Sequence, residues 1–65
     1  MEYGKEDLFR KILVELDYYY STRKQICYPI SYPDILIYSV HCAVNGNYDE
    51  SFDTIERARK TREGA

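Results

Sequence analysis

The sequence predicts an all-α fold: one compact three-helix domain over residues 1–65, with its last two helices paired as an antiparallel hairpin. Three observations predict it. Three stretches repeat apolar residues at three- and four-residue steps. Between them lie strong chain breakers, the Tyr28-Pro29 and Tyr32-Pro33 steps and the Asn45-Gly46 pair. At 65 residues the chain is too short for the large α/β folds, and no second strand pattern offers a sheet.

The first helix is expected over residues 5–23. Phe9, Ile12, Leu13, Leu16, Tyr19 and Tyr20 form one apolar stripe, expected to face the core. Glu6 with Arg10 and Asp7 with Lys11 are acidic-before-basic pairs one turn apart. Arg23 and Lys24 fall where the helix dipole favours cations. Projection at 100° per residue puts Val14 and Tyr18 on the side away from the stripe, an apolar patch on a face that should be wet.

Residues 24–32 connect the first two helices. The prolines keep the segment out of helix and sheet, while Ile26, Cys27 and Ile30 are expected to fold back onto the helices. The second helix is expected over residues 32–44, with Ser31 as its cap and Pro33 and Asp34 in its first turn. It is apolar nearly all round. Leu36, Ile37, Val40, Ala43 and Val44 make one face, and Ile35, Tyr38, Ser39 and Cys42 the other, so it reads as a central helix packed on both sides.

Asn45-Gly46 ends that helix, with Gly46 suited to a left-handed position. The third helix is expected over residues 48–62. Asn47 should cap it and Glu50 complete a capping box. Tyr48, Ser51, Phe52, Ile55 and Ala58 share one side. Its acids come early and its bases late, which complements the dipole.

The stretch Ser39-Val-His-Cys-Ala-Val-Asn-Gly46-Asn-Tyr48-Asp-Glu-Ser51-Phe-Asp-Thr-Ile55-Glu-Arg-Ala58 resembles one tetratricopeptide unit. The resemblance covers residues 35–59. It rests on small residues at Ser39, Ser51 and Ala58, a helix-ending Gly46, the Tyr48-Asp49-Glu50 start and the large apolar Ile55. The chain departs from that pattern at Ile35, where the family has a bulky aromatic, and after residue 59, where it has a proline. The resemblance implies an antiparallel hairpin meeting at small residues. The family's peptide-binding groove needs several stacked repeats, and one unit does not make it.

Composition narrows function. A net charge of −2 does not suit a general polyanion binder, which argues against nucleic acid as a partner. No P-loop, GxGxxG, HExxH or GxSxG occurs, so neither enzyme activity nor a cofactor is expected, and no catalytic residue is assigned. A Cys–His nucleophile would need Cys27 brought to His41. Three candidate ligands, Cys27, His41 and Cys42, lack a standard metal spacing. The favoured reading is a half-buried histidine and two small apolar, reduced cysteines. The acidic, polar start and the short apolar runs predict neither a secretory leader nor a membrane span, so the chain is expected in the cytoplasm.

Eight of the ten aromatics are tyrosine, too many for so small a core. They serve either as interface or as caps with wet hydroxyls. A chain below about 70 residues gains little from one core, which makes self-association the expected aid. The expected function is a small non-enzymatic protein–protein interaction module, an adaptor or inhibitor. It should form a homo-oligomer through Val14 and Tyr18 and bind a protein that no motif identifies. The alternative is a small regulator that binds a nucleotide or nucleic acid through tyrosines and the basic helix end at Arg57, Arg59, Lys60 and Arg62.

Overall fold

The backbone breaks where the sequence places the breakers. A computed structural model of the chain describes residues 4–64. It contains three helices, α1 (Lys5–Thr22), α2 (Ser31–Val44) and α3 (Tyr48–Glu63), and no strand among the described residues.

The α1 helix starts at an extended Gly4, whose carbonyl accepts from the amides of Asp7 and Leu8. It ends one residue earlier than expected because the Thr22 carbonyl turns to the connection, accepting from the amides of Gln25 and Ile26. Thr22 Oγ1 also lies 2.6 Å from the Tyr28 hydroxyl and donates to the Tyr18 carbonyl. These contacts pin the connection to the helix it leaves.

Three local expectations are corrected. Ile26 and Tyr28 fold back, whereas Cys27 and Ile30 are exposed. Ser31 does not cap α2: the Tyr32 amide bonds to the Pro29 carbonyl, so the helical turn begins early and Ile30 takes the cap position in helical conformation. Asn47 holds the cap position of α3 without a side-chain bond. Glu50 does not close a capping box, because its carboxylate accepts from the Cys42 thiol at 3.5 Å.

The α2–α3 turn follows the sequence closely. Gly46 has φ +84°, and its amide reaches the Ala43 carbonyl while the Asn47 amide reaches that of Cys42. This pair of bonds is a Schellman closure, and the left-handed glycine costs nothing sterically. The two helices then meet at small residues. Ser39, Ser51 and Ala58 are fully buried, and Ser51 Oγ donates to the Ser39 carbonyl at 2.7 Å. A bond from side chain to opposing backbone requires close approach, which only such small residues allow.

The core consists of Leu8, Ile12, Tyr32, Leu36, Ala43, Ile55 and Ala58, with Leu16, Tyr19, Tyr28, Ile35, Val40 and Phe52 half-buried around it. The α1 stripe is rotated from its expected position. Leu8, Ile12 and Glu15 are buried, while Phe9, Leu13 and Tyr20 are 38%, 65% and 60% exposed. On α2 the expected face also divides: Leu36 and Ala43 are buried, but Ile37 and Val44 are exposed. The α1 shift accompanies a buried carboxylate, Glu15.

Candidate functional site

Glu15 is the charged group at the centre of the molecule. It projects from α1 between Ile12 and Tyr19, at the one-turn spacing of the buried face. Its carboxylate accepts two bonds from the Arg62 guanidinium, at 2.9 and 3.0 Å, and one from the Tyr32 hydroxyl at 3.1 Å. Thus one side chain from each helix meets at one point. Two parallel bonds from a guanidinium fix orientation as well as charge. Losing one partner would leave the others buried and unpaired.

This network displaces the expected stripe. Turning Glu15 inward brings Leu8 with it and swings Phe9, Leu13 and Tyr20 towards solvent. Burial pushes the Tyr32 phenol above its ordinary range, and the adjacent Glu15 charge and hydrogen bond add to the shift. Arg62 is held more firmly protonated by its bonds to Glu15.

A titration consequence follows. Because its folded pKa is raised, Tyr32 contributes stability in full below the ordinary phenol value near 10, and loses it as pH rises further. Tyrosine absorbance at 295 nm should therefore show a late-titrating group, and the melting temperature should fall above about pH 10. Tyr32→Phe should remove the late group.

The two sets of residues singled out from the sequence meet beside this network. Val14 is exposed and lines a groove of about 320 Å³ between α1 and α3, together with Ile55, Arg10, Lys11, Arg59 and Arg62. Tyr18 is 38% exposed and has an intramolecular partner: the Arg62 guanidinium lies 4.4 Å from its ring centroid. A cation over an aromatic face is an attractive contact, so Tyr18 is less open than its exposure suggests.

The four basic residues of α3 do not form one patch. Arg59 and Arg62 turn towards the groove, whereas Arg57 and Lys60 are exposed on the far side and make no ion pair among the described residues. Glu56 pairs with Arg59 at 2.7 Å and with Lys11 at 3.3 Å. Arg59, with Lys11, holds the Glu56 carboxyl below its usual range, and Arg59 is pushed up in return. Arg59 reaches Glu63 as well. The groove cations are thus largely engaged within the chain.

His41 and Cys27 stay apart. Cys27 is exposed in the connection before α2, while His41 is exposed in the last turn of that helix, stacked on Tyr38 and contacted by Asn45. His41 is therefore not half-buried as expected. Cys42 is buried, and burial raises its thiol pKa, so it stays a neutral thiol beside Glu50. Tyr38 is raised in turn, first by its contact with Cys42 and then by Glu50. Among the described residues no three His, Cys, Asp or Glu side chains cluster so as to hold a metal ion. No described helix is long and apolar enough to cross a membrane.

An exposed apolar surface lies elsewhere. Phe9, Leu13 and Tyr20 of α1 fall within about 40° of one another in projection, and so do Ile30 at the cap of α2 and Ile37 and Val44 within it. All six are exposed. In α1 they flank the buried face on the side away from Lys11 and Tyr18, which border α3. In α2 they lie on the side away from Cys42, which touches Glu50 of α3. Lys11 meets Glu56 and, further along both helices, Glu15 and Tyr18 meet Arg62, so α1 runs parallel to α3 and therefore antiparallel to α2, with the Tyr19 and Tyr32 rings 5.5 Å apart where α1 ends and α2 starts. The two rows therefore border one seam, with Leu16 and Val40 half-buried beneath it.

The strip has a signal in the sequence. Ile30, Ile37 and Val44 recur at seven-residue steps, a seam spacing. The chain has no match among protein-family models, curated proteins or solved structures.

Proposed function

We propose that the chain is a small non-enzymatic protein–protein interaction module, an adaptor or inhibitor that acts in the cytoplasm and self-associates. The observation that supports it is the apolar strip along α1 and α2. Six large apolar side chains stand exposed there, against only eight buried apolar residues, the seven of the core and Cys42, among the described residues. Contiguous apolar surface on that scale marks an interaction site. The hairpin of α2 and α3, tight at Ser39 and Ser51, acts as the scaffold behind it; we take it as a single tetratricopeptide-like unit without that family's groove.

The alternative, a nucleotide or nucleic-acid regulator, has less support. Arg59 and Arg62 are bonded to Glu56 and Glu15, and carboxylates stand at the start of α3. Photocrosslinking in the native cell separates the readings. A benzoylphenylalanine at position 13 or 37 should trap a protein, and one at position 57 or 60 should not. Crosslinks to nucleic acid at positions 57 and 60, with none at 13 and 37, would contradict the proposal.

A further inference from the structure

We propose that the α1–α2 strip is the contact surface for a second copy of this chain, in a two-fold dimer whose protomers face each other through α1 and α2. The proposal rests on the interaction-module reading and names its partner. Three arguments lead to it.

The first is area. Phe9, Leu13, Tyr20, Ile30, Ile37 and Val44 leave on the order of 700 Å² open per copy, close to the ~800 Å² each partner contributes to a standard stable interface. The second is shape. Two antiparallel helices with apolar rows along one seam present a self-complementary face, and a two-fold axis through the seam sets four helices into one bundle. The α3 helix then lies outside the contact in both protomers.

The third argument is charge, and it decides between the two exposed faces of α1. A two-fold pairing through Val14 would bring the groove cations Arg10, Lys11, Arg59 and Arg62 into the middle of the contact against their own copies, with Glu15, Glu56 and Glu63 compensating them only in part. Like charges brought together across an interface are costly. The α1–α2 seam keeps its charges at the edges instead: Glu6 and Asp17 on α1, Asp34 on α2, and Arg23, whose guanidinium lies 5.1 Å from the Tyr20 ring centroid, are all exposed and can stay wet at the rim. The self-contact therefore lies on the face opposite the one that Val14 and Tyr18 mark.

Sedimentation equilibrium on the full chain tests this. The wild type should move from 7.8 kDa towards twice that mass across the micromolar range. Leu13→Lys and Ile37→Lys should each weaken the dimer at least tenfold while helix content persists, because both positions are exposed. Val14→Lys should leave it unchanged. A wild type that stays monomeric at high micromolar concentration overturns the second-copy proposal, as does a dimer lost in Val14→Lys but kept in Leu13→Lys. Crosslinks from position 13 to a different protein, with a monomeric wild type, would overturn the dimer and with it the self-association, and leave the non-enzymatic interaction module standing. No protein crosslink from positions 13 and 37 would overturn both.

Discussion

Glu15→Ala should remove most of the chain's stability and bring it to the edge of unfolding at room temperature. The substitution removes the acceptor for two Arg62 bonds and the Tyr32 hydroxyl at once. Breaking a buried ion pair from one side costs about 3–5 kcal/mol, because the remaining charge stays buried without compensation. Arg62 keeps 20% of its side chain exposed and can turn partly to water, which favours the lower end, about 3 kcal/mol. A single small core supplies roughly 3–5 kcal/mol in total, so the loss is decisive. Replacing all three members by apolar groups of similar shape should restore folding. Glu15→Leu with Tyr32→Phe and Arg62→Met removes every polar group that needed a partner. Urea unfolding followed by circular dichroism at 222 nm would show both effects. If Glu15→Ala unfolds at the wild-type midpoint, the three-helix junction is not holding the fold.

Leu36→Ala should cost about 3 kcal/mol, whereas Leu13→Ala should cost less than ~1 kcal/mol in the dilute, monomeric chain. Leu36 is 1% exposed and belongs to the core, so its removal loses transfer energy and opens a cavity. Leu13 is 65% exposed and loses neither. Periodicity alone assigns both residues to the interior. The contrast therefore reports the rotation of α1 directly, and equal losses at the two positions would restore the face expected from the sequence.

Helix extents were legible because their ends are chemically explicit. Pro29 and Pro33 restrict the residues before them, and Gly46 takes up the left-handed turn the expected stop requires. The small residues Ser39, Ser51 and Ala58 likewise anticipate the tight hairpin. Which way α1 faces was not legible. A glutamate in an amphipathic pattern reads as solvent-facing, and Glu15 contradicts that only because Arg62 arrives from 47 residues further along. No local spacing announces such a pair. The clue was the position of Glu15 itself, in line with Leu8, Ile12 and Tyr19.

The surplus of candidate surface residues was legible in composition, while the partners of individual side chains were not. An excess of apolar and tyrosine side chains over what the core can hold is visible in the sequence, and the structure leaves that excess outside. Tyr19, Tyr28 and Tyr32 pack against one another near the α1–α2 connection, and Tyr20 and Tyr38 stay exposed. Tyr18, expected to be unpartnered, lies under Arg62. Arg62, grouped with Arg57, Arg59 and Lys60 from sequence, is paired with the buried Glu15. An apolar-all-round α2 offered no basis for choosing its inner face. That choice sets where Ile37 and Val44 emerge.

Isotope-filtered nuclear Overhauser spectroscopy on a mixture of labelled and unlabelled chain tests the central claim most directly, because it reads contacts between copies alone. Methyl contacts from Leu13, Ile37 and Val44 across the dimer are the expected result, joined by ring contacts from Phe9 and Tyr20. Intermolecular contacts from Val14 with none from Leu13 or Ile37, or no intermolecular contact at millimolar concentration, would contradict it.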